Sequence, residues 1–109
     1  MLDQIINDVR SEKHLTPGNL ADYRLRLAAE YGFMTDRLSK ILQEKPKTWL
    51  EIRQRESIES DKMADRTWEA SDLGLEETAI KMKLKSIEKI MSAILTRLHI
   101  YEQEAKNLF

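Results

Sequence analysis

Two pairs of acidic residues have the residue types that metal-dependent chemistry requires. Glu56 and Glu59 form one pair, Glu69 and Asp72 the other, and the members of each pair are three positions apart. Oxygen clusters of this kind are what hard cations such as Mg²⁺ bind. Only nine residues separate Glu59 from Glu69, too few to finish a helix, turn, and bring a second helix back to face the first. The sequence therefore favours acids on a solvated helix face.

The same pairs resemble the ExxE and ExxD pairs of the all-helical nucleotide pyrophosphohydrolases, in which four carboxylates from facing helices hold Mg²⁺. The resemblance implies Mg²⁺-dependent hydrolysis of nucleotides. On one continuous helix, however, the pairs would lie roughly 15–20 Å apart at a rise of about 1.5 Å per residue. The enzymatic interpretation is a remote alternative, and we expect a protein that is not an enzyme.

The two histidines, His14 and His99, do not form a predicted metal site. Glu102 follows His99 by about one helical turn, but a helical di-metal site needs further inward carboxylates from neighbouring helices. We interpret His99 as an exposed residue beside Tyr101. The sequence has no cysteine, no glycine-rich phosphate loop and no nucleophile elbow. It predicts no catalytic residue, no metal ligand and no cofactor.

A basic ridge is the candidate nucleic-acid contact. Lys81, Lys85 and Lys89 are spaced by four, and five bases stand against one acid, Glu88, between Thr78 and His99. Such a ridge could meet a phosphate backbone. The alternative, which we favour, is a solvated coiled-coil flank that pairs with acids on a neighbouring helix, such as Glu51, Glu56, Glu59 and Asp61.

A heptad pattern in the last third of the chain predicts the helix on which that ridge lies. Apolar residues recur there at alternating steps of four and three: Ile80, Leu84, Ile87, Met91, Ile94, Leu98, Tyr101, Ala105 and Leu108. The mean spacing of about 3.5 residues is that of a coiled-coil seam, so we expect a helix over residues 75–106 with its seam in a core or an interface. A second stripe, which is expected to leave apolar surface for another copy of the chain, consists of Leu75, Ala79, Met82, Ile90 and Leu95.

Three more helices are expected before it. Residues 1–14 form an N-terminal arm and residues 17–44 the first long helix, which Thr16 caps and Pro17 opens. Pro46 is expected to end that helix because a proline removes a backbone donor. Thr48 and Glu51 have the spacing of a capping box, and they open a middle helix over residues 48–72.

Several residues within these helices have specific expected roles. The seam of the first long helix consists of Leu20, Leu27, Met34 and Ile41, with Arg24 and Lys45 at weaker positions. Gly32 is expected to make room for a bulky neighbour. A break or kink, with Gly74 closing one helix, is favoured at the joint 71–74, and one helix that runs through this joint is the alternative. Trp49 and Trp68 are expected in the core, with an interface as the alternative. Whether residues 54–62 form helix or loop is left open.

The composition fits a helical, soluble protein. Charged residues make up 34% of the 109 residues, the net charge is −1, and glycine and proline are few. No apolar run approaches the roughly 20 residues of a membrane span, and the N-terminus carries acids where a signal peptide has bases. We expect a cytoplasmic protein without membrane contact.

A further pattern runs through residues 64–105 and consists of Ala64-Asp65-Arg66, Gly74, Lys81, Lys85, Glu88-Lys89, Ser92-Ala93, Leu98 and Glu104-Ala105. This pattern resembles the C-terminal half of small, mostly uncharacterised helical accessory proteins of tailed bacteriophages. It implies a viral accessory protein concerned with DNA metabolism or host takeover, and it transfers no functional residue.

The predicted fold is a single all-α domain. It is an antiparallel helical hairpin or a bundle of three to four helices, with a long coiled-coil-like C-terminal helix. The predicted function is non-enzymatic: an adaptor or inhibitor-like module that binds another protein, or itself as a dimer, through the seam helix and its flank. Binding of nucleic acid by the basic ridge is the competing hypothesis.

Overall fold

The computed structural model describes residues 2–11 and 16–107. Within these ranges the chain forms no β-strand, and its four α-helices are α1 (Leu2–Ser11), α2 (Pro17–Arg53), α3 (Asp61–Ala70) and α4 (Asp72–Asn107). The all-α class and the long C-terminal helix are therefore confirmed. None of the helices in the described part of the chain has the length and hydropathy needed to span a bilayer.

The start of α2 follows the expected capping pattern. The Thr16 hydroxyl accepts a hydrogen bond from the Asn19 backbone N–H at 3.1 Å, and the Leu20 N–H donates to the Thr16 carbonyl at 2.9 Å. Pro17 occupies the first helical position, where its missing N–H leaves no hydrogen bond unmade.

Pro46 does not end α2, contrary to the prediction that the first long helix spans 17–44. The helix continues through the proline to Arg53. Pro46 and Leu42 are both exposed, so the Leu42 carbonyl, which loses its N–H donor, can bond to water instead. Ile41 and Ile52 are buried on either side of the proline. Their packing outweighs the cost of the backbone hydrogen bond that the proline removes.

The predicted middle helix, 48–72, is consequently divided. Its first residues belong to α2, residues 54–60 are turn and irregular chain, and the remainder forms α3. Ser60 caps α3 by accepting a hydrogen bond from the Met63 N–H at 3.2 Å. Arg53 bridges the irregular segment, donating to Asp61 Oδ1 at 2.8 Å and to the Ile58 carbonyl at 3.2 Å.

The break between α3 and α4 falls at Ser71, the first residue of the predicted joint 71–74. The Ser71 N–H donates to the Trp68 carbonyl at 3.0 Å, closing α3, and the Ser71 hydroxyl accepts from the Gly74 N–H at 3.1 Å, opening α4. A Cβ on Gly74 would lie 1.8 Å from the Trp68 carbonyl oxygen. Gly74 is therefore required by the close approach of α3, not by an end of the helix.

The chain divides into two compact units. Unit 1 consists of Met1–Gly32 and Lys85–Phe109. In its described part, α2 and α4 run antiparallel, and α1 is joined to α2 by a hydrogen bond from the Tyr23 hydroxyl to Asp8 Oδ2 at 2.6 Å. The fully buried apolar side chains are Ile5, Leu20, Leu27, Ile87 and Ile94.

Unit 2 consists of Phe33–Leu84. It contains the second part of α2, all of α3 and the first part of α4, with α2 and α4 again antiparallel. Its buried apolar side chains are Ile41, Ile52, Ala64, Trp68, Ile80 and Leu84.

Burial along the C-terminal seam is uneven. Ile87 and Ile94 are buried in unit 1, whereas Met91, Leu98 and Tyr101 are half-buried. Ala105 is exposed, and Leu108 lies outside the described residues. In the second stripe Ile90 is half-buried, and the exposed residues are Leu75, Ala79, Met82 and Leu95.

Gly32 does not have the expected bulky neighbour. It is exposed, and a Cβ built on it would meet no heavy atom within 4 Å in the described part of the chain.

Candidate functional site

A buried carboxylate is the main polar feature of unit 2. Glu77, near the start of α4, is 5% exposed and is the one charged side chain buried among the described residues. Lys45 Nζ donates to its two carboxylate oxygens at 2.9 and 3.3 Å. Trp68 Nε1 donates to it at 3.4 Å, and Lys81 Nζ lies 3.5 Å away. One residue from each of α2 and α3 is thus held by a single side chain of α4.

The electrostatics of Glu77 favour a permanent charge. Burial by itself raises the pKa of Glu77, but hydrogen bonds from Lys45 and Trp68, with the charges of Lys45 and Lys81, outweigh it and lower the pKa. The Lys45 ammonium also lies 5.6 Å from the centre of the Trp68 ring, within cation–π range. A carboxylate that stays ionised is a weak base at neutral pH, so the arrangement favours holding the three helices together over proton transfer.

The cluster borders a polar cleft of about 490 Å³. Its lining residues are Lys45, Asp65, Trp68, Glu69, Gly74, Glu77, Thr78 and Lys81. Trp49 Nε1 donates to Asp65 Oδ1 at 2.8 Å, and no buried side-chain N or O atom among the described residues lacks a hydrogen-bond partner. The buried polar groups of the cleft therefore all have partners within the protein.

The predicted carboxylate pairs are not assembled into a site. Glu56 and Glu59 lie in the irregular segment 54–60, Glu69 is on α3, and Asp72 is the first residue of α4. In the part of the chain that the structure describes, no three His, Cys, Asp or Glu side chains are grouped so as to hold a metal ion. His99 is exposed on α4, and His14 lies outside the described ranges.

The two tryptophans differ in their surroundings. Trp68 is buried in unit 2, whereas Trp49 is half-buried and bonded to Asp65. Trp68 has the expected core position, and Trp49 lies at the edge of the same unit.

The basic ridge is exposed on α4. Lys81, in unit 2, lies beside Glu77, while Lys85 and Lys89, in unit 1, form no ion pair with any described residue. Asp61, one of the acids expected to pair with the ridge, is bound to Arg53 instead. The ion pairs of the described structure therefore leave Lys85 and Lys89 available.

An apolar groove lies between α2 and α4 in unit 1; we call it the α2–α4 groove. It contains two cavities that share Ala28. One, of about 390 Å³, is lined by Ala28, Tyr31, Ile87, Glu88, Met91 and Ser92. The other, of about 490 Å³, is lined by Ala21, Arg24, Leu25, Ala28 and Leu98. Its walls are mostly apolar and its floor contains the half-buried seam residues Met91 and Leu98.

One exposed leucine lines the groove, and a second lies on the same face of α4. Leu25 of α2 is 73% exposed and Leu95 of α4 is 44% exposed. Leu95 is four residues after Met91 and three before Leu98, so it lies on the same helix face. Large apolar side chains grouped around an open cavity are typical of interaction surfaces.

The polar residues of the groove are at its two ends. Arg24 is exposed at the Leu98 end and forms no ion pair with a described residue. Glu88 is at the other end, where Oε1 accepts a hydrogen bond from the Tyr31 hydroxyl at 2.9 Å. The groove thus has a positive end and a negative end.

A smaller apolar patch lies in unit 2. Phe33, 72% exposed, lines a cavity of about 310 Å³ together with Met34, Ala79 and Ile80. Arg37 and Glu76 also line this cavity, and Arg37 donates two hydrogen bonds to Glu76 at 2.6 and 2.9 Å. Lys83 lines the cavity as well, so the patch is bordered by one ion pair and one further cation.

Comparison of the chain with protein-family models, with curated proteins and with solved structures finds no match in any of the three.

Sequence reasoning missed Glu77 and the α2 side of the groove. Glu77 is three residues before Ile80, where the heptad repeat would next place a seam residue, and Lys45 is at the corresponding weak position of α2. Opposite charges at seam positions of two helices are a signal from which the contact between Lys45 and Glu77 could have been predicted. Ala21, Leu25 and Ala28 also recur at helical spacing, beside the seam of α2.

Proposed function

We propose that this protein is a non-enzymatic helical interaction module, an adaptor or inhibitor-like accessory protein, that binds a helix of a protein partner in the α2–α4 groove. The observation that carries the proposal is the exposure of Leu25 and Leu95 around a groove between two antiparallel helices. A helix laid along such a groove would complete a bundle and remove both leucines from water.

The seam itself is a less suitable binding surface. Ile87 and Ile94 are buried within unit 1, so a partner could reach them only after α4 separated from α2. Met91 and Leu98 are half-buried and can contact a partner from the groove. The resemblance of residues 64–105 to accessory proteins of tailed bacteriophages supports the same class of function.

Photo-crosslinking in cells tests this proposal. A benzoylphenylalanine replacing Leu25 should form a covalent adduct with whatever occupies the groove, and the mass of the adduct identifies the class of partner. The same residue replacing Arg26, which is exposed about 100° further around α2 than Leu25, is the matched control. Adducts from position 25 that are absent from position 26 support the proposal. Equal yields at the two positions, or no adduct from position 25, contradict it.

A second candidate function, nucleic-acid binding, is favoured by the exposure of Lys85 and Lys89 without ion pairs among the described residues. Phosphate contacts of this kind depend strongly on salt. A gel shift with duplex and single-stranded DNA at low salt tests it, with Lys85→Glu as the variant and Lys62→Glu, on α3, as the control. A wild-type shift that Lys85→Glu abolishes and Lys62→Glu retains supports binding. No shift with wild-type protein rejects it.

A further inference from the structure

The two ends of the α2–α4 groove are complementary to each other in shape. Leu25 projects at the Arg24 end, where it is 73% exposed. At the Tyr31 end there is an open cavity of about 390 Å³ with Ile87 and Met91 in its walls. Leu25 and Tyr31 are six residues apart on α2, roughly 9 Å at a rise of about 1.5 Å per residue. Ala28, which lines that cavity, is three residues after Leu25 and is therefore its neighbour on the surface of α2. The projecting leucine thus lies beside the edge of an apolar cavity.

The charges of the groove are complementary in the same way. Arg24 is at the end that carries Leu25, and Glu88 is at the end that carries the cavity. Both side chains are exposed. A partner that carried this same surface, turned end for end, would set a negative charge against Arg24 and a positive charge against Glu88.

A twofold-symmetric dimer requires such a self-complementary surface. Both copies use the same patch, so each contact from the first copy to the second is repeated from the second to the first. A twofold axis that passes through the middle of the groove would place α2 of one copy antiparallel to α2 of the other. The residues near that axis, Ala28 and Ser92, are small and would let the helices approach closely.

We propose that the α2–α4 groove is occupied by a second copy of this chain, packed antiparallel, with Leu25 of each copy in the cavity beside Tyr31 and Met91 of the other and with Arg24 of each copy opposite Glu88 of the other. This inference rests on the proposed function, since it names the partner of the same surface. In this arrangement the second copy binds outside the buried seam residues, so α4 need not separate from α2.

Unit 1 has room for that copy on one side of α2. The hydrogen bond from Tyr23 to Asp8 joins α1 to one face of α2. Leu25 is two positions after Tyr23, about 200° further around a helix of 3.6 residues per turn. The groove is therefore on the other face, and none of the described residues of unit 1 covers Leu25 there.

Sedimentation equilibrium of the full chain over a range of concentrations tests the inference. The wild-type protein should show a concentration-dependent shift from 12.8 kDa to twice that mass. Leu25→Asp should remain at the monomer mass at every concentration while keeping its helical circular dichroism and its thermal melting. Arg26→Glu, a charge reversal on a different face of α2, should dimerise as the wild type does.

Charge reversal gives a sharper readout than loss of the dimer. Arg24→Glu and Glu88→Arg should each weaken self-association by roughly tenfold or more, because two attractions become two repulsions in each dimer. Mixing the two variants should restore dimerisation between them, since every pair in the mixed dimer is again attractive. A purely structural effect of either substitution would not be reversed by mixing.

The outcomes separate this inference from the proposed function. A wild-type chain that is monomeric at all concentrations overturns the inference, and so does a dimer that Leu25→Asp leaves intact. Failure of the mixed variants to associate also overturns it. A crosslinked adduct from position 25 at a mass other than twice that of the chain would uphold the proposed function while overturning the second copy as the occupant.

Discussion

Lys45 Nζ lies 2.9 Å from Glu77 Oε1, and both residues are at positions where the heptad repeats of α2 and α4 would place apolar side chains. Glu77 is almost completely buried, whereas Lys45 is partly exposed. An ion pair within an apolar repeat costs desolvation energy, and its main effect is to fix which residues meet. The pair therefore specifies the register of α2 against α4 within unit 2.

Removing one partner of this pair should cost more than removing both. Lys45→Met leaves the Glu77 carboxylate buried without its closest cation, so we expect the free energy of unfolding to fall by about 2–3 kcal/mol. The double variant Lys45→Met/Glu77→Leu replaces the pair by apolar side chains and should recover most of that loss. Urea denaturation followed by circular dichroism measures all three proteins.

Arg37→Met is the matched control for the single variant. It removes the cation from Glu76 in the same unit, but that pair is exposed, and water screens exposed pairs so that they contribute little to stability. If Lys45→Met were no more destabilising than Arg37→Met, the Lys45–Glu77 pair would not differ energetically from a surface pair.

The lowered pKa of Glu77 predicts how stability depends on pH. A carboxylate whose pKa is lower in the folded state than in the unfolded state stabilises the fold above its unfolded pKa, and this contribution is lost as the pH falls through the folded pKa. The ordinary value is 4.5, so the loss should occur below about that pH. Glu77→Gln should be less stable than wild type near neutral pH and should lose less stability on acidification.

Urea denaturation at a series of pH values below neutral provides the measurement. Glu102→Gln, which removes an exposed carboxylate outside the described ion pairs, is the control for the loss of one negative charge. A Glu77→Gln profile parallel to that of wild type would show that Glu77 does not contribute to acid sensitivity.

The sequence predicted the helical class and the capped start of α2 because both depend on local patterns. Apolar spacing reports the period of a helix, and the Thr16–Pro17 cap depends on residues within one turn. The continuation of α2 through Pro46 could not be predicted in this way, since it depends on packing of Ile41 and Ile52 against distant residues. The α2–α4 groove was missed for a related reason: periodicity identifies an apolar face but not which face a neighbouring helix leaves open.

Gly32 of α2 and Gly74 of α4 should respond oppositely to alanine. At Gly74 a Cβ would lie 1.8 Å from the Trp68 carbonyl oxygen, so Gly74→Ala must displace α3 or α4 and should cost about 3 kcal/mol. At Gly32 a Cβ would meet nothing within 4 Å in the described structure. Gly32→Ala should therefore stabilise the protein by about 1 kcal/mol through helix propensity.

Thermal melting of both glycine variants at one low protein concentration makes the comparison, and each serves as the control for the other. Destabilisation by Gly32→Ala would mean that a neighbour does approach that position. A neutral Gly74→Ala would mean that α3 does not pack against the start of α4 as described.

Pro46→Ala tests whether α2 continues through residue 46 in solution. A proline inside a helix costs about 3 kcal/mol relative to alanine, and its restriction of the unfolded chain returns up to about 1 kcal/mol. Because α2 extends to Arg53, alanine would restore a hydrogen bond to the Leu42 carbonyl, and we expect stabilisation by about 1–2 kcal/mol in urea denaturation.

Ser39→Ala, at another exposed position of α2, controls for helix propensity alone and should change stability by less than about 0.7 kcal/mol. If α2 ended at residue 44, as the sequence predicts, Pro46→Ala would restore no hydrogen bond and would give no such gain.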